Sequence, residues 1–226
     1  MLEIIDIKKS FGKKEVLKGI SLTFEKGNVY GIVGKNGAGK TTLFRGIAGL
    51  ETCHGKLNSE FDILKNHLGF LPTNPIFMSK ITGWEYLKLF SLARNVKEDD
   101  FEEQNIFELP LSDYAEHYST GMKKKLALMA ILLQQNDIYI LDEPFNGVDI
   151  QSNLIINDII QKLKNLGKIV IISSHIFSTL ADNCDQIHLL REGIIVKSAE
   201  KAEFQSVEDE MITDIIGDKT SNLRLK

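Results

Sequence analysis

The stretch that most constrains this chain is GKNGAGKTT, at 34–42. Three glycines within six residues free successive backbone N–H groups to turn inward, where a Cβ would obstruct them. The run fits G-x-x-x-x-G-K-[ST], the pattern of a phosphate-binding loop. Gly34, Lys35, Asn36, Gly37, Ala38 and Gly39 would form the cradle, with Thr42 beside it. Lys40 would reach the β- and γ-phosphates, and the Thr41 hydroxyl would coordinate Mg²⁺. VYGIVG (29–34) before the loop has strand composition, and TTLFRGIAGL (41–50) after it reads as a helix. Strand, glycine loop, helix is the order the chemistry needs, because the helix then points its positive end at the anion.

Composition narrows the rest. A chain of 226 residues can bury about 70–75 % of its unfolded surface in one core. Its 27 Lys and Arg against 31 Asp and Glu leave a net charge of −4, which gives no electrostatic ground for a nucleic-acid partner. No apolar run approaches the roughly 18 residues of a membrane span. The start, MLEIIDIKKSF, alternates like a strand rather than reading as a signal peptide. Cys53 and Cys184 imply no disulfide framework, and the five histidines show no zinc spacing. These features predict a cytoplasmic chain whose association with a membrane comes only through a partner.

In chain order, LEIIDIKKSF and GISLTF alternate about a turn at FGKK and predict an antiparallel hairpin. HGKLN (54–58) and HLGFLP (67–72) read as short strands. From Thr73 to His117 strand signals vanish; WEYLKLFSLARN (84–95) and DDFEEQNIFEL (99–109) read as helices, the second ended by Pro110. Ser119 is a good N-cap for the apolar helix that follows, to 135. DIYILDEP (137–144) and KIVIISSH (168–175) are apolar strands, separated by a helix over 149–167 with Gly167 at its C-terminal end. A short helix over IFSTLADNC and a hairpin about Glu192-Gly193 come next. Residues 206–226 are a polar tail, with helix only at the start of the region after 199. The alternation predicts an α/β fold with a mainly parallel sheet, an N-terminal antiparallel β subdomain and a small helical insertion.

The end of YILDE carries the second half of a site. A strand buried on both faces delivers Asp142 and Glu143 to the carboxyl edge of the sheet, where ligands bind in open α/β folds. Asp142 would hold Mg²⁺, and Glu143 would orient and polarise the attacking water. His175 ends the next apolar strand and reaches the same edge, where it could donate to the γ-phosphate. Phe11, at the first turn, is either a packed aromatic or a platform for a base.

With these motifs in this order, residues 1–205 resemble the nucleotide-binding domain of ATP-binding cassette (ABC) proteins. GKNGAGKTT resembles that family's Walker A, and ILDE (140–143) its Walker B with the catalytic glutamate at Glu143. YSTGM (118–122) stands where the signature LSGGQ would, keeping Ser119 and Gly121. Asp149 in GVDI is similar to the D-loop aspartate, His175 to the switch histidine and Phe11 to the adenine-stacking aromatic. Residues 73–117 match the helical subdomain. Two departures stand out: Thr120 and Met122 within the signature, and Thr73 where a glutamine normally senses the metal and the water. A threonine is shorter, so water or Asn74 would have to fill the gap.

The resemblance implies ATP and Mg²⁺ as ligands, with two domains sandwiching two ATP molecules, each between one chain's loop and the other's Ser119–Gly121. It implies a homodimer or a paired ABC subunit, located at the cytoplasmic face of a membrane through an integral permease. Signatures of the Y-S-x-G-M type resemble those of bacterial drug and peptide exporters. PIFMSKITGWEYL (75–87) offers Ile76, Phe77, Met78, Ile81 and Trp84, of which one or two would be exposed to a membrane partner. The alternatives are a soluble ABC ATPase and a low-turnover nucleotide sensor, the latter suggested by Thr73.

Overall fold

The computed structural model describes residues 1–96 and 100–216. Strands β1 (Leu2–Phe11) and β2 (Lys14–Phe24) form the expected hairpin, and β3 (Asn28–Val33) leads into α1 (Lys40–Ile47). Next come β4 (His54–Ser59), β5 (Leu68–Leu71), α2 (Gly83–Leu92) and α3 (Thr120–Leu133). The chain continues through β6 (Ile138–Asp142), α4 (Ile150–Asn165), β7 (Ile169–Ser174) and α5 (Phe177–Asn183). Strands β8 (Gln186–Arg191) and β9 (Ile194–Glu200) and helix α6 (Phe204–Ile216) complete it.

The strands make two sheets. One is antiparallel, in the order β2-β1-β4; the other runs β5-β6-β7-β3-β8-β9, parallel except for the edge strand β9. Every residue of β6 and β7 is buried, so both faces of the larger sheet need cover. Ile138, Ile140, Ile169 and Ile171 point into a core shared with the small sheet and with Leu43, Phe44 and Ile47 of α1. Tyr139, Leu141, Val170 and Ile172 point the other way, into a core with α3, α4, α5 and α6. This period of two decides which strand-end side chains face α1.

Three helices open on the side-chain caps their sequences provide: Thr82 for α2, Ser119 for α3 and Asp149 for α4. Thr82 and Glu85 form a full capping box. Gly167, with φ of +72°, follows the end of α4 as expected.

Two expectations change. The helix expected over 99–109 is absent from its described part: residues 100–109 form turns. Phe101, Phe107 and Leu109 are buried, but the Asn105 side chain takes both the N–H and the C=O of Leu109. Such local side-chain bonds compete directly with helix formation. The second change concerns the C-terminal region. The boundary expected at 205 falls inside α6, which buries Phe204, Val207 and Met211 in the main core. Arg191 and Lys197 also reach Glu210 on that helix, at 2.9 and 3.7 Å. Of the tail, residues 217–226 lie outside the described residues.

In the insertion, Ile76 is 90 % and Met78 57 % exposed, whereas Ile81 is buried. Trp84 packs edge-on against Phe101, and Phe77 against Tyr86. Two of the five candidates for a partner surface are therefore open to solvent.

Candidate active site

Strand β3 lies between β7 and β8, so the connection leaving it meets the ends of neighbours that come later in the sequence. All the parallel strands finish at this one edge, and the glycine loop occupies it. Gly34 is there because of contact. A Cβ at this position would lie 2.2 Å from the Leu190 carbonyl oxygen. From the same side the Gly193 N–H donates to the Ala38 carbonyl at 3.1 Å, seating the loop on the β8–β9 turn.

Helix α1 opens differently from α2, α3 and α4. Its N-cap, Gly39, has φ of +114° and no side-chain hydrogen bond closes the end. The first N–H groups of α1 are thus left for a ligand, with the helix dipole behind them. Lys40 is buried and donates to the carbonyl oxygens of Gly34 at 2.7 Å and Lys35 at 3.5 Å, inside the curve of the loop.

Asp142 is fully buried and collects three hydroxyl donors. Thr41 Oγ1 and Thr73 Oγ1 both donate to Oδ2 at 2.6 Å, and Ser173 Oγ donates to Oδ1 at 2.6 Å. Strand parity explains the meeting: Asp142 lies on the same face as Ile138 and Ile140, toward α1, and pairs in register with Ser173. Thr73 comes from the end of β5, next to β6. Its hydroxyl reaches Asp142 directly, and Asn74 is exposed. The cluster is made of oxygen donors only, a set that suits a hard dication sharing its remaining positions with water and phosphate.

Glu143 leaves the strand with φ of +54°, a conformation strained for any residue with a Cβ. The turn redirects its carboxylate. Oε2 lies 2.8 Å from His175 Nδ1, and Oε1 lies 3.6 Å from Lys40 Nζ. Ser173 Oγ accepts the Glu143 N–H at 3.0 Å while donating to Asp142, so one hydroxyl fixes both acidic residues.

A cavity of about 700 Å³ opens over these groups, lined by Phe11, Val16, Gly37, Lys40–Thr42, Thr73, Glu143, Asn146 and His175 among others. Phe11 is half exposed at its margin, with Lys9 Nζ 4.8 Å from the ring centre. Of the residues predicted from sequence, Gly34, Lys35, Ala38, Asp142, Ser119, Gly121 and Asp149 do not line it: the first three line a separate cavity beside Leu189–Glu192, and Asp142 is buried behind Thr41 and Thr73. Ser119 and Asp149 sit instead at the N-termini of α3 and α4. Asp149 accepts the Ser152 N–H and hydroxyl, and these bonds, with a smaller contribution from Lys125, hold its carboxyl well below the usual range. Gly121 is needed for close approach, since a Cβ would meet the Gly147 carbonyl oxygen at 2.7 Å.

Sequence reasoning missed Lys14, Val16 and Asn146 of the cavity lining, and behind it Ser173 and Lys124. Ser173 was readable in principle, because parallel neighbours with matched apolar runs bring it opposite Asp142. Lys124, buried beneath Glu143, is one of three consecutive lysines, and nothing in the run marks which of them turns inward.

The model of the ABC transporter family matches residues 17–146, more than half of the chain and the stretch that carries the loop, Ser119 and Asp142. This chain belongs to the ABC transporter family. Among its relatives is the uncharacterised ABC transporter ATP-binding protein YhcH of Bacillus subtilis, 31 % identical over 95 % of this chain and 72 % of that protein. Another is the lantibiotic transport ATP-binding protein SrtF of Streptococcus pyogenes, 29 % identical over 97 % of this chain and 99 % of the relative. The fold is that of solved ABC domains. An ATP-binding subunit of an ABC transporter superposes with a TM-score of 0.81 at 24 % identity, covering 95 % of this chain and 98 % of its own. A dimeric ATP-binding cassette in a post-hydrolysis state with ADP and Pi gives 0.77 at 19 %, covering 89 % and 99 %. The chain is thus an ATP-binding subunit of the ABC type. No helix among the described residues is long and apolar enough to cross a membrane.

Proposed function

We propose that this ABC subunit hydrolyses ATP with Mg²⁺ and drives a separate membrane permease, in the direction of export, by closing and opening a dimer. The observation that carries the reading is the convergence of Lys40, Thr41, Thr73, Glu143 and His175 on one cavity, with Asp142 buried behind the two threonines. Thr41, Thr73 and Asp142 would hold the metal, which when bound neutralises phosphate charge. Lys40, now turned to the loop carbonyls, would turn outward to the β- and γ-phosphates. Glu143 orients the attacking water and accepts its proton; His175, bonded to the same carboxylate, fixes its rotamer and faces the γ-phosphate. Phe11 offers its exposed face to the base.

A composite site is supported by what the cavity lacks. Ser119, Gly121 and Asp149 are on the same chain but outside the cavity, so they would serve the nucleotide held by a second subunit, identical or paired. The γ-phosphate then bridges two chains, and its loss loosens them. Exposed Ile76 and Met78 would take a helix of the permease. Export is supported by the Y-S-x-G-M signature and by the lantibiotic transport relative.

The test is steady-state ATPase activity of the purified chain beside Glu143→Gln, with association followed on adding ATP. Turnover should fall by about 100-fold or more in the variant, while ATP now holds a stable dimer. An ATP-loaded Glu143→Gln chain that stays monomeric would overturn the composite site.

A further inference from the structure

Lys124 lies on the second turn of α3 and is 2 % exposed. Its ammonium donates to two backbone carbonyls, those of Glu143 and Asn146, each at 2.7 Å. Burial lowers its pKa, opposed by the charges of Glu143 and Asp142. An apolar side chain would fill the same volume without that desolvation cost. What only a donor supplies here is a hold on the turn that follows the strand.

That turn needs holding. Glu143 has a φ of +54°, a conformation that a residue with a Cβ keeps only when its surroundings fix it. Lys124 grips the start of the segment. The next residue, Lys125, grips its end, with Nζ 3.3 Å from Asp149 Oδ2 and 3.2 Å from Ser152 Oγ. Between them the Gly147 carbonyl lies so close to Gly121 that no Cβ fits. Two adjacent residues of one helix thus pin residues 143–149 at both ends, and the same helix begins at Ser119.

We infer that Lys124 is a positioning residue for ATP hydrolysis: it fixes the Glu143 carboxylate over the cavity and locks that placement to the helix bearing Ser119. The inference rests on the reading of Glu143 as the residue that activates water. In this arrangement the group acting on a chain's own nucleotide and the group offered to its partner's move as one body.

The experiment compares the wild-type chain with Lys124→Met, which keeps the volume and removes the donors, and Lys124→Gln, which keeps an N–H donor. Lys124→Met should lower kcat by about 10- to 100-fold, the scale of a displaced catalytic group, with KM for ATP unchanged. Lys124→Gln should recover part of the lost kcat. Amide exchange across 143–149 should quicken by about tenfold or more in Lys124→Met, with that of 34–42 unchanged. Unaltered kcat, KM rising in step with the loss, or exchange that quickens evenly along the whole chain would overturn the assignment. A wild-type chain without turnover would refute the hydrolysis reading alone. The exchange data would then decide the clamp: a local rise supports it and no change overturns it.

Discussion

Thr73 decides how much of the ABC chemistry this site can keep. A hydroxyl on β5's exit replaces a longer amide, yet it donates straight to Asp142 Oδ2 beside Thr41. Thr73→Val preserves shape and removes the donor, leaving Asp142 with one charge-assisted bond fewer, worth roughly 1.5–3 kcal/mol. We expect ATP binding to be unchanged, kcat to fall by about tenfold and the Mg²⁺ concentration for half-maximal rate to rise. A titration of activity against Mg²⁺ checks this; an unchanged midpoint would remove Thr73 from the proposed metal site. At this scale the sequence was legible wherever chemistry dictates spacing, as from Gly34 to Thr42 and at Asp142-Glu143. It was silent where the third dimension chooses, as with Lys124 among its neighbouring lysines.

Elements were legible where their ends carry local signals. Ser119 caps α3 where the sequence placed it, α4 opens at Asp149 where a helix was expected to begin, and the Glu192-Gly193 turn joins β8 to β9. The segment 100–109 misled because its apolar residues suit a helical face while Asn105 closes a tighter local loop on Leu109. Composition also understated α6, whose polar residues hide a stripe at 204, 207 and 211. Spacings of three and four put these on one face. Phe204 meets Phe177 of α5 edge-on at a centroid distance of 6.3 Å. Phe204→Ala should therefore cost about 3–5 kcal/mol, measured by urea unfolding. Exposed Ile212 on the same helix provides the control: its change to Ala should stay within about 0.5 kcal/mol. Equal, small effects would mean that α6 is a tail after all.

Across the whole molecule, the two sheets must stay locked for the loop and Phe11 to face one cavity, and one histidine sits in that joint. His188 on β8 is 2 % exposed, stacks parallel to Tyr30 of β3 and meets Phe24 of β2 edge-on. Its Nδ1 lies 2.8 Å from Ser198 Oγ, while Nε2 has no hydrogen-bond partner among the described residues. Burial pushes its pKa down from 6.5 to about 4. The folded state therefore refuses a proton that the unfolded chain accepts. Above pH 6.5 the ring is neutral in both states and nothing is lost. As pH falls from 6.5 to 4 the unfolded state alone gains the proton, so stability declines, by about 3 kcal/mol over that window. Below pH 4 both states are charged and this contribution levels off. Carboxylates titrate near the lower end as well, so the informative quantity is a difference between chains. His188→Gln cannot titrate, and its unfolding free energy should fall less steeply between pH 6.5 and 4, by nearly the full 3 kcal/mol. Parallel pH dependences in the two chains would show that the ring is already protonated, or already solvated, where the sheets meet.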